Sequence, residues 1–257
     1  MFMPKFFVNS EQVDNDEIII LGNDVNHIKN VLRMKEGDSF YVCDEDNSEN
    51  YLVKISGFDR EKIICSIIEE CRNNAESNVK VHIYQGLPKA DKMELIIQKS
   101  VELGVDEITP VEMKRCVVKL DGKDKSKKID RWQKIAEVAA KQSGRDIIPK
   151  IDKVKGISEI INEFKNFDIV ILCYENEKNV FLKNVLEEVK DDNLNESDNL
   201  KVAVIIGPEG GIDISEVESM KQEGAKVVSL GNRILRTETV AISLLSIIMY
   251  EFERNGI

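Results

Sequence analysis

Two rhythms of apolar and polar positions divide the chain. Up to about residue 72 the apolar residues come in short runs rich in β-branched and aromatic side chains: Lys5–Val8, 18–21, 39–43, 51–57 and 62–69. Runs of this kind between polar clusters predict strands. So many in so short a length predict a small barrel or sandwich. One segment departs from the pattern. Val25, Ile28, Val31 and Leu32 recur at helical spacing and predict a helical piece over 24–34. The stretch 44–50 carries four acids and no base, which predicts a turn or exposed loop. Residues 73–78 are polar and aperiodic and read as a linker.

From Val79 onward strands alternate with helices. Strand patterns fall at 81–86, 107–113, 168–174, 201–208 and 226–231. Helical patterns fall at 88–103 (opened by Pro88), 127–143, 157–164, 177–189, 214–222 and 237–253. An acidic polar loop occupies 191–199. Alternation of this kind predicts an α/β domain with a mostly parallel sheet covered on both faces. The expected domains are therefore 1–72 and 73–257.

Composition narrows the class. The 257 residues include 36 Lys and Arg against 47 Asp and Glu, a net charge of −11. Such an acidic chain does not coat nucleic acid nonspecifically, although local basic patches remain open to it. Apolar residues make up 42% and charged residues 32%, a globular balance rather than a disordered one. Five Cys with no CxxC predict neither a disulfide framework nor a structural zinc site and fit a reducing cytosol. The first residues do not read as a signal peptide, and the apolar run 240–250 is about half a membrane span. A soluble, cytoplasmic protein is expected.

Several familiar sites are missing from the sequence. Neither GxGxxG nor GxxxxGK[ST] follows the strands, so both phosphate-binding fingerprints are absent. With His27 and His82 as the only histidines and no HExxH, no metal site is expected. GxSxG is also absent.

Two strand exits carry candidate chemistry. The first offers Ile206, Gly207, Pro208, Glu209, Gly210 and Gly211, a tight turn that lets a ligand approach backbone. Glu209 could orient a polar ligand group or cap an N–H, or be an exposed acid on an ordinary turn. The second offers Leu230, Gly231, Asn232, Arg233, Ile234, Leu235 and Arg236, with Thr237 or Thr239 to cap the last helix. It reads as a salt-bridged helix start or, with the first loop, as one pocket for an adenine-like ring. A third stretch, 114–134, holds nine bases and three acids. Arg115, Lys123, Lys125, Lys127, Lys128 and Arg131 there form either a solvated face or a phosphate-backbone platform. His27, Lys29 and Arg33 add a basic group near the N-terminus, with His27 equally suited to a core position. Trp132 fits the core of an amphipathic helix better than a stacking platform.

IGPEGG followed by LGNRILRTET resembles the RsmE family of 16S ribosomal RNA uridine-N3 methyltransferases in the SPOUT superfamily. HIKNVLRMKEGD, QKSVELGVDEITPV and RWQKIAEVAAKQSGRDIIP extend the resemblance, in order, over essentially the whole chain. It implies a PUA-like β-barrel for RNA, followed by a SPOUT α/β domain with a deep trefoil knot. It also implies S-adenosylmethionine bound by the loops 206–211 and 230–236, a homodimer joined through the last helix, and no metal. This chain reads Thr239-Val240 where the family usually has Thr-Ala, and Lys114-Arg115 where Glu-Arg is common.

The implied reaction removes the N3 proton of a uridine in 16S rRNA of the small subunit and stabilises charge on O2 and O4. Arg236 suits the second task by its place beside both loops, with Arg145 as a helper from this or the other subunit, and Glu209 or Glu238 could accept the proton. The alternatives are a non-catalytic RNA-binding or ribosome-assembly protein, a SPOUT methyltransferase for another RNA site, and, more remotely, a nucleotide-dependent oxidoreductase.

Overall fold

The structure, a computed structural model, describes residues 3–47, 49–71, 75–191 and 199–253. Residues 192–198 of the acidic loop expected at 191–199, and residues 73–74 of the linker expected at 73–78, lie outside the described residues. The chain forms two compact units. One is Met1–Glu76 with Ala140–Ile148, and the other is Ser77–Ala139 with Pro149–Ile257.

In the first unit the strands are β1 (Lys5–Val8), β2 (Val13–Asp14), β3 (Glu17–Leu21), β4 (Ser39–Asp44), β5 (Glu49–Phe58) and β6 (Lys62–Cys71). They form one sheet in the order β1-β4-β5-β6-β3-β2, antiparallel except where β1 runs alongside β4. The β5–β6 register shifts at Ile68 on β6 and at Ser56 on β5, as bulges do, bending the strands and curling the sheet into a half-barrel. Phe6, Ile18, Ile20, Ile28, Phe40, Val53 and Ile63 fill its inside.

The expected helix at 24–34 is shorter and mixed. Helix α1 (Asn23–Asn26) leads into a π-helical turn at His27–Val31. Arg33 ends it in the left-handed region (φ 56°), and Met34 N–H closes onto the Ile28 carbonyl at 3.0 Å. The acidic turn is also smaller than 44–50. Asp44 belongs to β4 and is buried, accepting from Ser10 Oγ at 2.8 Å and Asn47 Nδ2 at 3.0 Å.

Residues 140–148, expected in the C-terminal domain, belong to this first unit. Polar contacts account for their place. Lys5 pairs with buried Asp146, Lys141 Nζ lies 3.0 Å from Asp24, and Arg145 pairs with Glu76. The described part of the linker is thus tied down. Glu76 Oε1 also accepts from Asp146 N–H at 2.8 Å and Ile147 N–H at 3.2 Å.

The second unit holds β7 (Val79–Gly86), β8 (Glu107–Glu112), β9 (Lys150–Ile151), β10 (Lys155–Gly156), β11 (Ile169–Cys173), β12 (Leu200–Ile206) and β13 (Lys226–Val228). Its helices are α2 (Lys92–Glu102), α3 (Gly122–Ser143), α4 (Ile157–Ile161), α5 (Leu182–Asp191), α6 (Ile214–Gln222) and α7 (Thr237–Phe252), with α3 ending in the residues of the first unit. The sheet runs β10-β8-β7-β12-β11-β13, with β9 beside β8, and every pairing is parallel. Val202 to Ile206 are buried along β12, as a strand covered on both faces requires. Helix α2 packs against α7. It starts at Lys92 rather than Pro88, because Ala90 sits in the left-handed region (φ 53°) and holds residues 88–91 as a turn. Trp132 is buried, as the amphipathic reading of its helix predicts.

Candidate active site

Parallel register brings four strand exits to one edge of the sheet. Gln85 lies opposite Ile206, Leu172 opposite Ile205, and Cys173 opposite Val228. Ligands in parallel α/β sheets bind beyond such carboxyl ends. A cavity of about 560 Å³ opens there. The loops at 206–211 and 230–236 line it throughout, so Ile206, Gly207, Glu209, Gly231, Arg233 and Arg236 share one pocket. Lys92, Cys173, Tyr174, Glu175, Ser229, Thr237 and Val240 complete the lining; the sequence offers Thr237 only as a helix cap and marks none of the others as a site residue. The strong strand ending in LCY at this same edge was the available signal for 173–175.

Each loop has a local cause. In the first, Gly211 N–H closes onto the Pro208 carbonyl at 2.9 Å. Gly211 holds φ 71°, and a Cβ there would run into Glu175 Oε1. Beyond it Asp213 caps α6, accepting from Ser215 N–H at 3.2 Å. The second loop leads straight into α7, but Thr237 does not cap that helix. Its hydroxyl donates to the Gly207 carbonyl at 2.8 Å and accepts from Gln85 Nε2 at 2.8 Å. One buried hydroxyl thereby joins the end of β7, the first loop and the start of α7.

The charges are unevenly committed. Arg233 and Arg236 line the cavity, are exposed, and have no carboxylate partner among the described residues. Glu209 is engaged, accepting from Lys89 N–H at 3.1 Å and lying 3.1 Å from Lys92 Nζ. Burial alone would raise its pKa, but backbone N–H groups and Lys92 outweigh that and hold its carboxyl below the ordinary glutamate range. A general base would need the opposite shift. Cys173 is buried and its thiol is pushed up to about 12, so it stays a protonated wall group.

Arg145 is not among the residues lining the cavity. It is 4% exposed, with its guanidinium on Glu76. Burial raises the Glu76 pKa, and the Arg145 hydrogen bond and charge more than reverse this, leaving it lowered. The linked stability is therefore present above the unfolded value near 4.5 and fades as pH falls through the lower folded value. Arg145→Met, which strands a mostly buried carboxylate, is expected to cost about 3 kcal/mol. Urea unfolding at neutral pH reads this, and an unchanged midpoint would contradict it.

The expected RNA contacts also differ in their freedom. Arg115 Nη1 donates to the Gly210 carbonyl at 3.3 Å, so it braces the first loop. Lys125 pairs with Glu112 at 2.8 Å, Arg131 with Glu94 at 2.7 Å, and Lys128 lies over the Trp132 ring. Lys123 and Lys127 are exposed, with no partner among the described residues. In the first unit His27 is exposed and Arg33 has no partner among the described residues, while Lys29 donates to the Asp59 carbonyl. Among the described residues no group of three or more His, Cys, Asp or Glu could hold a metal ion, and no helix is long and apolar enough to cross a membrane.

Comparison with known proteins places this geometry. Residues 75–249 match the family described as "RNA methyltransferase domain", and residues 20–68 the family "RNA methyltransferase PUA domain". The chain is 36% identical over 259 residues to ribosomal RNA small subunit methyltransferase E of Bacillus subtilis, covering 98% of each. A Legionella pneumophila protein solved in complex with the bound cofactor SAM is 28% identical. The two superpose with a TM-score of 0.84, over 99% of this chain and 100% of that one. A ribosomal RNA small subunit methyltransferase E from Neisseria gonorrhoeae, bound to S-adenosyl methionine, is 25% identical, with a TM-score of 0.83 over 98% and 99%. With its curled N-terminal sheet, its parallel C-terminal sheet and its paired strand-exit loops, this chain belongs to the ribosomal RNA small subunit methyltransferase E family, the RsmE branch of the RNA methyltransferases.

Proposed function

We propose that this protein transfers a methyl group from S-adenosylmethionine to N3 of a uridine in 16S rRNA of the small ribosomal subunit, in the cytoplasm. The observation that carries the reading is the cavity shared by the loops 206–211 and 230–236, with Arg233 and Arg236 on its wall and without carboxylate partners among the described residues. The relatives of known structure named above hold S-adenosylmethionine. The residues present suit that ligand. The cavity lies within the size range of small-molecule sites, and its glycine-rich loops offer backbone to an adenine. Glu175, without a partner among the described residues, suits ribose hydroxyls. The bound donor supplies an electrophilic methyl on a positively charged sulfur.

The remaining chemistry falls to the chain. Neutral uracil carries a proton on N3, which passes to solvent water as the methyl moves from sulfur to N3, and the charge that its loss creates spreads to O2 and O4. Arg236 stabilises that charge, and with no carboxylate partner among the described residues its donors are available. Glu209 is held as an anion with reduced basicity, so it serves the loop more than it serves proton transfer. Alignment of donor and acceptor supplies a large part of the rate. N3 lies on the Watson–Crick edge, so the target base is unpaired or flipped out.

The basic residues at 123–128 and the exposed group His27 and Arg33 support an RNA track within each unit. Changing Lys123, Lys125, Lys127 and Lys128 together to Ala is expected to weaken binding to small-subunit rRNA. It should also lower the salt slope by about two to three, because Lys125 is already paired. An unchanged slope would remove this surface from the track.

The exposed apolar side chains Phe181, Ile247 and Tyr250 (41%, 42% and 87% exposed), on and around α5 and α7, support a homodimer through the last helix. The crossed order β12-β11-β13, with Thr237 tied to Gly207, supports the knotted path expected of the superfamily. Calorimetric titration with S-adenosylmethionine tests the pocket: one site per chain is expected, and no binding by folded protein would favour the RNA-binding-protein alternative.

A further inference from the structure

Lys92 opens α2, where the helix dipole disfavours a cation, so helix stability does not explain it. Two carboxylates do. Its Nζ lies 3.1 Å from Glu209 Oε1 and 3.2 Å from Glu238 Oε2. Glu209 belongs to the first cavity loop, and Glu238 to the first turn of α7. The three side chains are 30%, 25% and 14% exposed, so the cluster is largely shielded from water. The Glu238 Oε2 atom is buried and makes no hydrogen bond of regular geometry among the described residues, while Lys92 Nζ lies beside it at 3.2 Å. Both carboxylates push the Lys92 pKa upward, which keeps it a cation at neutral pH.

We propose that Lys92 is a positioning residue for methyl transfer. Its ammonium joins Glu209 to Glu238 and so fixes Arg236, two residues before Glu238, against the loop 207–211. The inference rests on the functional reading of Arg236 given above. The loop itself has other anchors. Thr237 Oγ1 holds the Gly207 carbonyl, Gly211 N–H holds that of Pro208, and Lys89 N–H holds the Glu209 carboxylate. Thr237 still ties the first residue of α7 to Gly207, so losing Lys92 leaves the loop that faces the cofactor in place and releases the Glu238 carboxylate, two residues beyond Arg236, from its bridge to Glu209.

The test measures single-turnover methylation of small subunits together with S-adenosylmethionine affinity, on the full chain. Lys92→Met is expected to lower the methylation rate constant by roughly 10- to 100-fold while cofactor affinity stays within about threefold. Lys92→Arg, which can still bridge both acids, should recover most of the rate. Glu238→Gln should reproduce part of the loss, and the double variant Lys92→Met with Glu238→Gln should lose no more than Lys92→Met alone. An unchanged rate in Lys92→Met, or a loss accounted for wholly by weaker cofactor binding, would overturn the proposal. If Lys92→Met does not fold, Glu238→Gln decides, and a wild-type rate there overturns it. A wild-type protein that binds the cofactor but methylates no subunit would instead bring down the functional reading beneath it.

Discussion

Arg236→Ala is expected to lower methyl transfer by about 10²- to 10³-fold, the usual effect of removing one donor aimed at developing charge. Arg236 lines the cavity and is exposed, with no carboxylate partner among the described residues, so its loss strands no buried charge. Its backbone carbonyl still accepts from Val240 N–H at 2.9 Å, a bond that alanine keeps. The fold should therefore survive, with a melting temperature close to wild type. The loss should appear in the single-turnover rate at saturating S-adenosylmethionine rather than in cofactor affinity. Wild-type turnover in this variant would remove Arg236 from the chemistry. Arg233→Ala is the informative companion, because it stands on the same wall three residues earlier.

Gly86→Ala tests the other half of the site, the shape of the first loop. Gly86 ends β7 and carries no charge or hydrogen-bonding side chain. A Cβ built there would lie 2.7 Å from Pro208 Cδ, 2.8 Å from Pro208 N and 3.0 Å from Met113 Sδ. The proline ring cannot swing aside as a flexible side chain would, so the strand or the loop must move. Overpacking of this kind costs typically about 1–3 kcal/mol. Because the strain falls on the turn that closes between Pro208 and Gly211, cofactor affinity is expected to drop about 10-fold or more. The melting temperature should fall by several degrees. Titration of the variant with S-adenosylmethionine reads the first effect. Wild-type affinity would show that the loop tolerates the displacement.

Periodicity carried the architecture a long way. The change from short strands to alternating strands and helices near Val79 follows from local pattern, and so does the placing of glycine-rich turns at strand exits. Two such exits were legible as one pocket because ligands in parallel sheets gather at the carboxyl edge. The loop at 173–175 obeys the same rule, but it follows its strand without glycine and so carried no separate signal. Lys92 was illegible for another reason. A lysine in the first turn of an amphipathic helix looks like a solvated charge until its partners at 209 and 238 are known, more than a hundred residues away.

Arg145 gives no local sign of its partner: Glu76, some seventy residues earlier, holds it in a buried pair. The same long-range contacts assign residues 140–148 to the N-terminal unit, which no composition shift marks. Near the N-terminus the spacing of Val25, Ile28, Val31 and Leu32 suits an ordinary helix. Backbone geometry instead opens it into a π-helical turn closed by Arg33. Thr237 looked like a helix cap and serves as a cross-link, because its hydroxyl finds the Gly207 carbonyl within 2.8 Å.

The central claim is the chemistry at one base. The direct measurement supplies labelled S-adenosylmethionine and the full chain to small ribosomal subunits that lack the modification, then digests the 16S rRNA and identifies the labelled nucleoside by mass spectrometry. 3-Methyluridine at a single site is the expected product. Label in another nucleoside, or none at all with folded, cofactor-binding protein, would contradict it.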